Sequence, residues 1–323
     1  MRIAFMGKGG SGKTTVTTSF LKYITKERAD KQKLIFDVDI NSHLFKEYSL
    51  NKNDINFFSG DFLKIADIFE PEFKKTYDLD FIPSFGTLPI NKNTNLIKGD
   101  LFNHDFVKKY GYDLDSTTKL FTLGNYITKK TQIGECYHSL LNSYELLLHR
   151  IIDDKNSYVI ADTTAGIDNL GTSLCLGYDI TIFVVEPSER SVSVYKDYIN
   201  TAGIDTESVF VLGNKIEDED DLDYINKNVK TDKLLGFLKF NKKINRDEGA
   251  DRYELFIEDN LSIFNTILEK LDSADKNWNS YYNRVHKLFI DESKSWFSSF
   301  YNKDLEKILT LDKNLINKIQ KGE

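Results

Sequence analysis

The chain has 323 residues, with 43 basic and 50 acidic side chains and a net charge of −7. At about 150 residues per domain, that length implies two domains or one enlarged α/β domain. The acidic balance argues against a generally basic nucleic-acid binder, though not against a local basic patch. No run of 18 apolar residues occurs, so no membrane-spanning helix is expected. The apolar stretch after Met1-Arg2 ends at once in glycines, unlike a signal peptide. Two cysteines, Cys136 and Cys175, imply no disulfide framework and fit a reduced, cytoplasmic setting.

In chain order, residues 2–6 (RIAFM) predict a short buried strand. A glycine-rich turn follows at Gly7 to Gly12, then a helix from Lys13 to Ile24 and a second buried strand from Lys33 to Asp39. Further strands are expected at Leu79 to Ile82, Lys119 to Leu123, Tyr158 to Asp162, Ile180 to Val185 and Ser208 to Leu212. Helical patterns lie at Leu140 to Ile152 and Val192 to Ala202. This alternation predicts an α/β fold: a doubly wound, mostly parallel sheet covered by helices on both faces, with ligands at the carboxyl ends of the strands. Residues 51–130 are less regular and read as an insertion within a domain spanning 1–250. From 251 to 323 apolar residues recur at helical spacing, for example Ile257, Leu261, Phe264, Leu268 and Leu271. That segment predicts a helical C-terminal extension.

Gly7-Lys8-Gly9-Gly10-Ser11-Gly12-Lys13-Thr14-Thr15 fits the G-x-x-x-x-G-K-[ST] pattern, after a strand and before a helix. Glycines let backbone N–H groups curl around phosphate oxygens, and the helix N-terminus adds its positive dipole end. Gly9, Gly10, Ser11, Gly12, Thr14 and Thr15 thus form the expected phosphate cradle. Lys13 is placed to reach the β- and γ-phosphates, and the Thr14 hydroxyl to meet Mg²⁺. This reading gives a nucleotide-binding α/β protein suited to phosphoryl transfer and leaves ATP and GTP open.

The form K-G-G-x-G-K-T-T resembles the deviant phosphate loop of the MinD/ParA/ArsA/NifH superfamily. The resemblance extends over about residues 1–250 and implies ATP, Mg²⁺, slow hydrolysis and nucleotide-dependent homodimers. It makes Lys8 the signature lysine that acts across the dimer on the partner's phosphates, offsetting charge in the manner of an arginine finger. Asp37-Val38-Asp39-Ile40-Asn41-Ser42-His43-Leu44 resembles the D-x-D-P-N-x-N-L stretch of CooC-type accessory ATPases, which serve nickel insertion into carbon monoxide dehydrogenase. By that resemblance Asp39 is the catalytic, water-positioning carboxylate, and with Thr14 and Asp162 it serves Mg²⁺, partly through water; Asp37 is a supporting one, while Ile40 and His43 depart from the pattern. Tyr158 to Asp162 reads as a Walker B strand whose Asp162 would hold the Mg²⁺ shell through water. Thr163 to Gly171 resembles the switch region D-x-x-A-G-I-E-H-L-G, with Gly166 as hinge. Val184-Val185-Glu186-Pro187-Ser188 and the N-K of Asn214-Lys215 also match. Asn214 is the candidate for the adenine edge, because an amide both donates and accepts. Gly236 to Phe240 stands where the family carries G-x-I-P before another base contact; Lys239 replaces that proline, which makes Phe237 and Phe240 core candidates.

Ile133-Gly134-Glu135-Cys136-Tyr137-His138 resembles the CooC-type G-x-C-x-C segment, with His138 at the second position. A Cys136/His138 pair from each of two subunits would supply two thiolates and two imidazoles, adequate for Zn²⁺ or Ni²⁺. The alternative is a small buried Cys136 at a helix start beside an exposed His138. Cys175 reads as core.

Three roles are compatible with these residues. The first is a dimeric ATPase switch coupling nucleotide state to maturation or assembly of an unknown client protein. The second is a ParA/MinD-type positioning or partitioning ATPase on a DNA or membrane scaffold. Tyr77 to Ser84 resembles the ParA L-D-x-I-P strand, and Leu315, Ile316 and Ile319 among Lys313, Lys318 and Lys321 mimic a weak membrane-binding helix. The third is an adaptor docking through Trp278, Tyr281, Tyr282, Trp296, Phe297, Phe300 and Tyr301, rings that such stripes more often use as core.

Overall fold

The structure, a computed structural model, describes all residues except 40, 43, 78, 80–85, 125–136, 165, 167–171, 202–204, 241–243, 245–250 and 298–302. It does not describe the side chains of 52, 137–139, 251, 296 and 297. The strands are β1 (Arg2–Met6), β2 (Gln32–Asp37), β3 (Ile97–Lys98), β4 (Tyr112–Asp115), β5 (Thr118–Thr122), β6 (Ile151–Ile152), β7 (Ser157–Asp162), β8 (Ile180–Val185), β9 (Val209–Ile216) and β10 (Leu234–Lys239). The helices are α1 (Lys13–Glu27), α2 (Leu44–Glu47), α3 (Phe62–Phe69), α4 (Phe73–Tyr77), α5 (Asp105–Tyr110), α6 (Tyr137–Leu148), α7 (Glu189–Ile199), α8 (Glu219–Asn228), α9 (Asp251–Asp259), α10 (Leu261–Asp272), α11 (Trp278–Glu292), α12 (Leu305–Ile308) and α13 (Lys313–Gln320).

Eight strands form one sheet in the order β10-β9-β8-β1-β7-β2-β5-β4. Its neighbours run parallel except for the β4–β5 pair, which is antiparallel at one edge. Central strands such as β1, β7 and β8 are buried along their whole length. That is why they read as unbroken apolar runs, since helices cover both faces of a parallel sheet. Two apolar layers follow. One holds Phe36, Phe121, Tyr144, Leu147 and Phe183. The other holds Ile3, Phe5, Phe20, Ile160 and Ile182, together with Phe264, Ile267, Leu268 and Leu271 of α10.

Register fixes the site. Asp162 at the end of β7 pairs with Phe5 of β1 on one side and with Asp37 of β2 on the other. The turn after β1 and the carboxylates after β2 and β7 therefore emerge at adjacent strand ends. The sheet reverses direction of growth beside β1, where ligands of such sheets bind.

Residues of the expected insertion form short helices α3 to α5 and the β4–β5 hairpin on the sheet edge. Of the strand expected at 79–82, only Leu79 lies among the described residues, buried but outside any strand. The helix expected to run to Ile152 ends at Leu148, because Ile151 and Ile152 pair with Ile97 and Lys98 in a small second sheet. Much of the apolar surface of the C-terminal segment is covered, while Leu255 and Leu261 stay exposed. Trp278, Tyr281, Tyr282, Val285, Ile316 and Ile319 form one buried cluster. Among the described residues no helix is long and apolar enough to cross a membrane.

Candidate functional site

β1 runs into the glycine turn. A Cβ on Gly7 would stand 2.6 Å from the backbone carbonyl oxygen of Val184, so this position has no room for a side chain. Gly12 has φ 90° and forms the N-cap of α1, a left-handed conformation that favours glycine. It offers no side-chain cap, and the first turn of α1 carries no acidic residue. The helix thus presents its amides and the positive end of its dipole without a protein anion. The hydroxyl of Ser11 is buried without a partner. Gly9 and Gly10 are exposed on the loop, and Thr15 is half-buried. These features make a cradle for phosphate oxygens.

Beneath the loop, three carboxylates surround one ammonium. Lys13 Nζ donates to Asp162 Oδ1 at 2.6 Å and to Asp39 Oδ2 at 3.4 Å. Thr14 Oγ1 donates to Asp162 Oδ2 at 2.9 Å, and Thr17 Oγ1 to Asp162 Oδ1 at 3.3 Å. Asp39 Oδ1 accepts from the backbone N–H of Asn41 at 2.8 Å. Asp37 Oδ2 accepts from the N–H groups of Leu44 and Phe45 at 3.1 and 3.3 Å, capping the start of α2. Its Oδ1 is buried without a partner. Burial and then the neighbouring Asp162 raise the Asp37 pKa well above the usual carboxylate range. Burial alone would lower the Lys13 pKa, but Asp162 and Asp39 outweigh it and raise it.

This arrangement fits a divalent cation accompanied by phosphate. Two buried carboxylates, Asp39 and Asp162, pair with one ammonium, leaving an excess of negative charge. Among the described residues no three His, Cys, Asp or Glu side chains form an all-protein metal cage. A hydroxyl and one or two carboxylates completed by water and substrate oxygens is the usual protein contribution around Mg²⁺.

A second ionic group lies over the loop. Glu186 follows β8 directly, and β8 pairs with β1, so its carboxylate stands beside the turn. Lys8 Nζ donates to Glu186 Oε1 at 3.0 Å and Lys215 Nζ to Glu186 Oε2 at 3.1 Å. Lys215, at φ 61°, also donates to the carbonyl of Gly10. Asn214 Nδ2 donates to the carbonyl of Ser11 at 2.8 Å. Asn214, expected at the base, and Lys215 therefore brace the loop. Burial would raise the Glu186 pKa, but hydrogen bonds from Lys8 and Lys215 bring it below the ordinary value. Past Lys215, a hollow of about 540 Å³ is lined by Ile216, Asp218, Leu222, Lys239 and half-buried Phe240.

The backbone N–H of Gly166, at φ 86°, donates to the carbonyl of Gly7 at 3.0 Å, tying the expected switch to the loop. Cys136 lies outside the described residues, as does the side chain of His138 in α6, so the interface-metal expectation falls outside them too. Cys175 is half-buried, packed against the core, its thiol pushed up to about 11 by burial and then by Glu145.

The structure thus brings Lys13, Thr14, Asp39 and Asp162 together, with Lys8, Asn214 and Lys215 at the loop's rim. Sequence reasoning had given no task to Glu186 or Thr17. Thr17 was findable, since it lies one helical turn after Lys13 on the same face.

The CobQ/CobB/MinD/ParA nucleotide binding domain model matches residues 3–255. An uncharacterised ATP-binding protein of Methanocaldococcus jannaschii is 27% identical over 251 residues, covering 76% of this chain and 90% of that protein. A second one from the same organism is 25% identical over 249 residues, covering 76% and 86%. Among solved structures, a Cyanothece McdA–ATP complex aligns with TM-score 0.54 and 12% identity over 85% of this chain and 98% of that one. A ParA family ATPase from Chlorobium tepidum aligns with TM-score 0.52 and 13% identity over 83% and 96%. At such identities these two speak for the fold alone. With the family match spanning most of its length, the chain belongs to the CobQ/CobB/MinD/ParA nucleotide-binding-domain family.

Proposed function

We propose that this chain binds ATP with Mg²⁺ on residues 7–15 and hydrolyses the γ-phosphate as one half of a nucleotide-dependent homodimer. The observation that carries the reading is the Lys13 ammonium, held at 2.6 Å from Asp162 and 3.4 Å from Asp39 beneath an uncapped helix N-terminus. An arriving triphosphate offers Lys13 stronger anionic partners, and the loop amides take its remaining oxygens. Asp39 is then free to orient the attacking water. Thr14 and Asp162 would hold Mg²⁺, which supplies charge neutralisation between the phosphates. Lys8 reaches the partner's phosphates, and Asn214 Oδ1 stays available to the base. ATP rather than GTP is supported by the relatives named ATP-binding.

The nucleotide state in this reading controls maturation or assembly of a client protein, as in CooC-like ATPases. Membrane positioning through the C-terminal helix lacks a contact face, because Ile316 and Ile319 are buried against α11. Calorimetric titration with a non-hydrolysable ATP analogue and Mg²⁺ tests the site. Lys13→Ala should weaken binding about 100-fold, near the ~3 kcal/mol that losing one partner of a buried charge pair costs. Equal affinity in the variant would refute it.

A further inference from the structure

Lys8 faces a conflict. Its proposed task lies on the partner subunit, yet its ammonium is bound within its own chain to Glu186 Oε1 at 3.0 Å. The same carboxylate holds Lys215 through its other oxygen at 3.1 Å, and Lys215 reaches back to the Gly10 carbonyl. One carboxylate therefore spans the loop from Lys8 to residue 215. The Lys8 side chain is about one-third exposed (32%), so it can leave without unpacking the core.

We infer that Glu186 is a positioning residue that folds Lys8 back in the single chain and releases it when a second copy brings a triphosphate within reach. The exchange is graded by charge. A triphosphate carries more negative charge than a diphosphate, so it competes better with one carboxylate for the ammonium. Glu186 would thus set the threshold at which nucleotide pairs two copies of this chain, a step that rests on the dimeric reading above.

The experiment is sedimentation velocity across a protein dilution series with Mg²⁺ and a non-hydrolysable ATP analogue, on wild type, Glu186→Gln, Lys8→Ala and the double variant. Glu186→Gln should dimerise at about tenfold lower protein concentration, from releasing one part-exposed pair in each subunit. In the Lys8→Ala background the same change should have no effect, because Glu186 then has no Lys8 to restrain. A purely structural role for Glu186 would move both backgrounds alike and would overturn the inference. So would a folded Glu186→Gln protein that pairs as wild type does or more weakly. Should Glu186→Gln fail to fold, Glu186→Asp, which keeps the charge on a shorter stem, must show the same directional contrast. A wild type that stays monomeric with the analogue defeats the dimeric reading itself. A wild type that pairs, unaltered by Glu186 substitution, defeats only the latch.

Discussion

Asp37 shows how one residue can be mistaken for its neighbour. Asp37 closes β2 and Asp39 lies two residues beyond it, but Asp37 spends one oxygen on the amides of Leu44 and Phe45 while the other is buried without a partner. Its pKa is raised in the folded chain, chiefly by burial. The sign follows: its stabilising share is present below the unfolded carboxylate pKa and lost as pH rises through the folded value. Above the unfolded carboxylate pKa the group therefore opposes folding. Asp37→Asn keeps a capping oxygen without the charge, and should raise the melting temperature of the nucleotide-free protein by about 2 °C, the shift ~1 kcal/mol produces in a large domain. Asp37→Ala removes the cap and should cost about 1–2 kcal/mol. Melting curves of both at pH 7 decide the matter, and equal destabilisation by the two would contradict it. At this scale Lys13, Thr14, Asp39 and Asp162 were legible because the loop pattern is local and strand ends announce themselves. The pairing of Lys8 with Glu186, 178 residues away, was not, because strand order alone sets it.

Helix α6 joins two parts of the molecule. Glu145 accepts from the N–H and hydroxyl of Ser173, just beyond the expected switch. His149, after the last turn, contacts Ser173 Oγ through Nε2 at 2.6 Å and the Tyr281 hydroxyl of α11 through Nδ1 at 2.7 Å. Arg2 Nη1 donates to that same hydroxyl at 2.8 Å. Removing it with Tyr281→Phe leaves buried partners unsatisfied and should cost about 1–3 kcal/mol in denaturant unfolding; an unchanged midpoint would show the contact to be idle. Burial, then Arg150 and Arg2, hold the His149 pKa well below its ordinary 6.5. The unfolded chain takes up that proton where the folded chain does not, so stability falls as pH drops below about 6.5, at up to ~1.4 kcal/mol per unit. His149→Gln should flatten this descent between about pH 6.5 and 5. Melting profiles of variant and wild type that stay parallel over that range would remove His149 from the account. Helix limits were only partly readable. Apolar spacing put the start of α7 at Val192, whereas Ser188 caps it and Glu189 begins it. Periodicity reports the buried face of a helix, and the cap lies off that face.

The C-terminal helices are bound into the whole molecule by charge as well as by apolar area. Arg2 is fully buried in β1, its Nε 2.6 Å from Asp153 Oδ1, its guanidinium 5.2 and 5.1 Å from the rings of Trp278 and Tyr281. Lys276 joins Asp153 and also reaches Asp179 at 2.9 Å. Deleting residues 251–323 would strip Arg2 of Tyr281 and uncover the core layer shared with α10. The truncated chain should lose its cooperative thermal transition; a shortened protein that melts sharply and binds nucleotide normally would show the segment to be an appendage. The helical character of this segment was visible in its spacing, but its attachment was not, because a buried arginine at position 2 names no partner. The central claim concerns the pair of molecules rather than one, and phosphate release per subunit, followed over a range of protein concentrations for wild type and Lys8→Ala, tests it most directly. Wild-type specific activity should rise with concentration while Lys8→Ala stays at background despite binding nucleotide; activity that is independent of concentration and indifferent to Lys8 would contradict it.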